Sequence, residues 1–229
     1  MVFCFVVLVT GLTARSEEFT IRVMTYNIYR GGTMRGQPLS QTANVIREAK
    51  ADVVGIQETR SPRGVHGEEL AKLLGWNHYV DRRNKCILTP HNIVERHRGG
   101  IKIKLDAGGE AHVFNLHLPS NPYQPYQLLS IRPKWHKHWD TPIISTESEA
   151  IAGAREARGK DISALLTQIR ALPDKETPVF VVSWTTFLMR FDQRDIEKLY
   201  QISSLLQNYV SLVLHIHTQK QPTNGKFNY

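Results

Sequence analysis

The stretch ADVVGIQET, residues 51–59, decides how the rest of the chain is read. Its apolar run is continuous rather than alternating, the pattern of a strand covered on both faces. The strand closes on Glu58. Upstream, FTIRVMTYNIY (19–29) is rich in β-branched and aromatic residues, with Ile21, Val23 and Thr25 alternating, which predicts a strand ending near Asn27. Between the two, Ser40 is an N-cap for a helix through Lys50 that turns Ala43, Ile46 and Val45 inward.

Downstream, GEELAKLLGW (67–76) predicts a helix stopped by Gly75. GGIKIKLDAGGEAHVFNLHL (99–118) predicts a hairpin: Ile101, Ile103 and Leu105 alternate with polar residues, Gly108 and Gly109 turn the chain, and Val113 to Leu118 return. The five prolines of residues 119–145 predict a long surface loop. KDISALLTQIRAL (160–172) has Ile162, Leu165, Leu166, Ile169 and Leu172 at helical spacing, and TPVFVV (177–182) is again a buried strand. From Ser183 the character changes: residues 190–209 predict a helix, 210–218 a strand, and the remainder is polar. Strands alternating with helices, plus one hairpin, predict mixed α/β layers.

A chain of 229 residues with 41% hydrophobic side chains builds one large domain or two small ones, which excludes disorder as its overall state. Its 29 Lys and Arg against 21 Asp and Glu give a net charge of +8, favouring polyanions such as nucleic acid, phosphorylated ligands or anionic lipid surfaces. The apolar run 2–12, followed by Ala14-Arg15-Ser16, is too short to span a bilayer and predicts a secretory signal peptide over 1–16, hence a secreted or extracellular protein, the alternative being a buried strand or a mis-called start in a cytoplasmic one. Its removal takes Cys4 away and leaves Cys86 without an intrachain disulfide partner.

Reactive groups gather where core strands stop, because the sheet holds them rigid while loops leave room for a substrate. Asn27, Glu58, and the pair Asn115 and His117 stand at such ends. Singly, each is an ordinary turn or solvated residue. Together, an amide and a carboxylate are hard oxygen donors suited to Mg²⁺, and a histidine beside them moves a proton.

MTYNIYRGG (24–32), ADVVGIQET and HVFNLHLP (112–119), in this order, resemble successive motifs of the endonuclease/exonuclease/phosphatase superfamily, the DNase-I-like metal-dependent phosphoesterases. TPVFVV is similar to the strand that leads into that family's Gly-Asp-Phe-Asn motif. The resemblance covers about residues 21–182 and marks a domain over 20–182. It implies a four-layer α/β (α+β) sandwich, two mainly antiparallel β-sheets flanked by helices, and metal-assisted hydrolysis of a phosphate ester of nucleic acid, phospholipid or a smaller molecule. Carried over residue by residue, Asn27 and Glu58 hold Mg²⁺ or Mn²⁺, His117 protonates or stabilises the phosphate oxygens, and Asn115 orients the phosphate. The expected form is a monomer without a stable protein partner.

Two departures qualify the expectation. Ser183-Trp184-Thr185-Thr186 stands where the family has Gly-Asp-Phe-Asn, and nothing beyond Val182 matches the family's Ser-Asp-His, since His215 and His217 alternate within an apolar run like one face of an edge strand. Residues 183–229 therefore read as a divergent C-terminal segment of a divergent or truncated member. The sandwich is expected to be incomplete at that end, with sheet edges exposed unless this segment covers them, and the activity to be weak or absent. Two further stretches match poorly: of residues 86–98 only Ile93-Val94-Glu95 is family-like, and residues 131–140 read as an exposed basic, aromatic loop rather than a metal site. The alternative from another class is a non-catalytic basic domain that binds nucleic acid or anionic lipid.

Overall fold

The computed structural model describes residues 19–62, 64–81, 84–106, 108–130, 143–174, 177–183, 189–190 and 213–218. The expectations for the signal segment 1–16, for residues 131–140, for 184–186 and for nearly all of the helix over 190–209 lie outside the described residues. In chain order the strands are β1 (Phe19–Asn27), β2 (Val53–Gln57), β3 (Arg60–Ser61), β4 (Gly64–Val65), β5 (Asn77–Asp81), β6 (Lys85–Thr89), β7 (Asn92–His97), β8 (Gly100–Lys104), β9 (Glu110–Leu116), β10 (Val179–Ser183), β11 (Met189–Arg190) and β12 (Val213–Thr218). The helices are α1 (Leu39–Glu48), α2 (Gly67–Leu74), α3 (Gln124–Leu128) and α4 (Glu147–Arg170).

Strand β2 is buried at every position, as its unbroken apolar run demands. It lies parallel to β1 and antiparallel to β6 in a five-stranded sheet ordered β12-β1-β2-β6-β5. The second five-stranded sheet, β11-β10-β9-β8-β7, also contains one parallel pair, β9 with β10, among antiparallel neighbours. The strands β3 and β4 form a separate small hairpin.

Alternation along the strands builds three apolar layers. Ile21, Val23, Val53 and Ile87 of the first sheet meet Ile101, Val113, Phe180 and Val182 of the second between the sheets. Met24, Val54, Ile56 and Leu88 point the other way, onto Leu39, Ala43 and Ile46 of α1 and Leu70 of α2. Phe114, Val179 and Val181 back the second sheet against Leu165 and Ile169 of α4. The result is helix, sheet, sheet, helix: the four-layer sandwich that the sequence led us to expect.

Gly55 sits on the inner face of β2, where a Cβ would run into Val182 Cγ2 of the facing sheet and lie 3.2 Å from Asn115 Cγ. A residue without a side chain is what lets the two sheets approach there.

The helices differ from expectation in their limits. Helix α1 begins at Leu39, directly after an extended Pro38 whose side chain caps nothing, so Ser40 lies inside the helix and Val45 faces solvent. Helix α4 begins well before Lys160, at a capping box in which Thr146 accepts from the Glu149 N–H and the Glu149 carboxylate reaches back to the Thr146 N–H. The short α3 lies within the segment expected to be loop. Beyond Ser183, β12 pairs antiparallel with β1, placing His215 opposite Arg22 and His217 opposite Thr20, and β11 pairs with β10. Each sheet thus takes its outermost strand on this side from the C-terminal segment, which pairs with β1 from Phe19 to Met24 and with β10 at Phe180 and Val181.

Candidate active site

On β1 the inward positions run Ile21, Val23, Thr25 and Asn27, so the inter-sheet core turns from apolar to polar along the strand. On β9 the same parity runs Val113 and Asn115, and His117 follows just past the strand end. The two sheets meet in a buried polar layer. Gln57 Nε2 donates to Asn115 Oδ1 at 2.7 Å and to Thr25 Oγ1 at 3.2 Å, Thr25 Oγ1 donates to the Ser183 carbonyl at 3.1 Å, and Lys85 Nζ donates to the Asn115 carbonyl at 2.8 Å. Asp81 lies 3.2 Å from the Lys85 ammonium and balances its charge.

Just outside this layer, Asn27, Glu58 and His117 come together. Asn27 Nδ2 donates to Glu58 Oε1 at 2.9 Å, and His117 Nε2 stands 3.8 Å from the same oxygen. Glu58 has φ 58°, the left-handed region that a glutamate seldom occupies. Its main chain and side chain are held there by the next loop: Gly31 N–H donates to the Glu58 carbonyl at 2.7 Å, Arg30 N–H to Glu58 Oε2 at 3.3 Å, and Tyr29 N–H to Asn27 Oδ1 at 2.8 Å. The flip at residue 58 ends β2 and turns the carboxylate toward the mouth between the sheets. Burial, followed by the Lys85 charge, pulls the His117 pKa below its ordinary value against the opposing pull of Glu58, so the ring is neutral at pH 7.

Among the described residues, no three His, Cys, Asp or Glu side chains form a metal cluster. The mouth offers the Glu58 carboxylate and the Asn27 amide, hard oxygen donors that fit a cation keeping most of its water, as Mg²⁺ does, rather than a closed zinc site. Asn27 turns its nitrogen to Glu58 and its oxygen to the Tyr29 N–H, so a cation held by the carboxylate would have the amide as its orienting partner.

Asn115, the residue expected to orient a phosphate, lies apart from these three, inside the polar layer. The residue is 2% exposed, its Nδ2 donates to the carbonyls of Ile56 at 2.9 Å and Cys86 at 2.8 Å, and its Oδ1 accepts from Gln57. With donors and acceptor spent across the interface, the side chain is a strut from β9 to the facing sheet.

No family model matches the chain. It is 27% identical over 165 residues to the uncharacterized protein F14F9.5 of Caenorhabditis elegans, an alignment covering 67% of this chain and 48% of that protein. The chain thus spans about half the length of the curated relative it matches. Similar solved structures include truncated TDP2 of C. elegans (15% identity, TM-score 0.42, covering 72% of this chain and 62% of that one). An endonuclease/exonuclease/phosphatase from Beutenbergia cavernae gives 17% identity and TM-score 0.42, covering 73% and 48%. A mutant beta toxin of Staphylococcus aureus with bound magnesium ions gives 12% identity and TM-score 0.44, covering 83% and 72%.

Sequence reasoning missed the polar layer and the brace behind the mouth. Gln57 and Lys85 are buried, but in the sequence they look like polar residues at the ends of ordinary strands. His66, ahead of α2, bonds to Ser61 Oγ through Nε2 at 2.8 Å and to Glu69 Oε2 through Nδ1 at 3.0 Å. A Cβ on Gly31 would lie 2.6 Å from the His66 ring, so the loop after Asn27 packs directly on this brace. The spacing of Ser61, His66 and Glu69 gave no signal, because their link depends on the β3–β4 hairpin bringing Ser61 back over the start of α2.

Proposed function

We propose that this chain belongs to the endonuclease/exonuclease/phosphatase superfamily and binds a phosphate ester at the mouth between its sheets, hydrolysing it slowly. The observation that carries this reading is the convergence of Asn27, Glu58 and His117 at one place outside the polar layer. Glu58 would hold Mg²⁺ or Mn²⁺, with Asn27 fixing the carboxylate. The cation, when bound, neutralises charge gathering on the phosphate. His117, neutral at pH 7, has a ring N–H to give to a phosphate oxygen. The substrate is a phosphate ester of nucleic acid, phospholipid or a smaller molecule, and export of the protein follows from the signal segment at 1–16.

Slow turnover follows from Ser183-Trp184-Thr185-Thr186, which supplies no carboxylate where the family places the residue that activates water. A missing general base costs about 10²-fold to 10⁴-fold in rate. Hydrolysis of generic phosphodiester and phosphomonoester substrates with Mg²⁺, in the wild type and in Glu58→Ala, tests the reading. A slow, chelator-sensitive rate absent from the variant supports it, and equal signal from both proteins overturns it.

The same four residues, together with the +8 charge, favour a second reading: a non-catalytic domain that binds nucleic acid or anionic lipid. It predicts salt-sensitive binding that survives chelation of divalent cations.

A further inference from the structure

The loop after Asn27 carries a second feature beside the carboxylate. Tyr29 has φ 43° and Arg30 φ 51°, consecutive bulky residues in the left-handed region. This backbone is over-determined: Tyr29 N–H is spent on Asn27, Arg30 N–H on Glu58 Oε2 and Gly31 N–H on the Glu58 carbonyl, while Gly31 is wedged against His66. Strain held in place next to a candidate site points to use of what it displays. What it displays is the Tyr29 ring, 52% exposed, with the Arg30 guanidinium 5.8 Å from its centroid. Core packing does not account for an aromatic side chain left in water at this position.

We propose that Tyr29 is a stacking platform for a base of a nucleic acid strand whose phosphate lies at Glu58 and His117, and that Arg30 engages the neighbouring phosphate. The inference rests on the hydrolase reading for the place of that phosphate and narrows its substrate class. Every nucleobase has a π face, and base stacking on an aromatic side chain is tolerant of sequence. An arginine beside the ring adds cation–π and phosphate contact. A choline headgroup also meets a tyrosine ring by cation–π contact, but the Arg30 guanidinium already beside this ring repels a quaternary ammonium, and glycerol offers no face to stack on. The +8 charge agrees with an extended polyanion.

The test is equilibrium binding of fluorescein-labelled oligothymidylate to the full chain in Mg²⁺ at fixed salt. Tyr29→Phe is expected to bind like the wild type, whereas Tyr29→Ala and Tyr29→Leu are expected to weaken binding about tenfold. Leucine keeps the apolar bulk and lacks the π face. Arg30→Ala is expected to lower the salt slope by about one ion. No binding by the wild type, equal binding by wild type and Tyr29→Leu, or equally tight binding to phosphatidylserine vesicles overturns the proposal. Hydrolysis of a p-nitrophenyl phosphodiester, followed in parallel, separates the two readings. Loss of Glu58-dependent hydrolysis removes the hydrolase reading, while unchanged oligonucleotide binding in Tyr29→Leu removes the platform even where that hydrolysis is present.

Discussion

Asn27 Nδ2 donates to Glu58 Oε1 at 2.9 Å, joining the ends of β1 and β2 across 31 residues of sequence. Parallel pairing of these strands sets the two residues side by side, since Asn27 pairs with Gln57 and the flip at residue 58 returns the carboxylate to it. An outer partner that orients a metal-binding carboxylate typically contributes about 10-fold to 100-fold in metal affinity. Asn27→Ala is therefore expected to weaken Mn²⁺ binding by about that factor, read by titration calorimetry, with Glu58→Gln weaker still. Equal affinity in Asn27→Ala and wild type would show that the amide does not position the carboxylate.

Gly55 faces Val182 across the two sheets, with no room for a Cβ between them. Gly55→Ala is expected to destabilise the fold by about 1–3 kcal/mol, as overpacking does, read as a lower midpoint in chemical denaturation. Val182→Ala removes the opposing methyl, so the double variant Gly55→Ala, Val182→Ala should lose less than the sum of the two singles. Strict additivity would mean that the sheets move apart without cost.

His112 is 1% exposed and bonds to His97 Nε2 through Nδ1 at 3.1 Å on the outer face of the second sheet. Burial, then the His97 and Lys102 charges, lowers its pKa, while Glu95 and Asp174 oppose the shift. The folded state thus binds fewer protons than the unfolded chain between the lowered pKa and the ordinary value of about 6.5. Stability is full above about pH 6.5 and falls as pH drops from there to the folded pKa. His117 is shifted in the same direction, so His112→Asn should reduce the slope of Tm against pH without abolishing it. An unchanged slope would contradict the assignment.

The parts of the fold that were legible in the sequence are those in which burial writes a pattern. Residues 53–56 and 179–182 are apolar without a break and lie in buried strands. Leu165 and Ile169 keep helical spacing and face the second sheet. The first half of α4 was missed because its buried positions are Ala150, Ala154 and Arg158, which leave no apolar stripe. Its real signal was the capping box at Thr146 and Glu149. The same limit governs the site. Asn27, Glu58 and His117 stood out because strand ends expose polar groups, and the structure brings them together. Asn115 looked identical by that rule, yet it points between the sheets, and only the facing carbonyls of Ile56 and Cys86 explain it. Lys85 was invisible for the converse reason: its partners, Asp81 and the Asn115 carbonyl, come from other strands.

The most direct test of the central claim, one site built from Asn27, Glu58 and His117, is paramagnetic broadening by Mn²⁺ in protein with isotope-labelled histidines. The His117 ring signals are predicted to broaden first, ahead of those of His97 and His112 on the outer face of the second sheet, and to stay sharp in Glu58→Gln. His117 signals that stay sharp while other histidines broaden, or broadening of His117 that persists in Glu58→Gln, would contradict it.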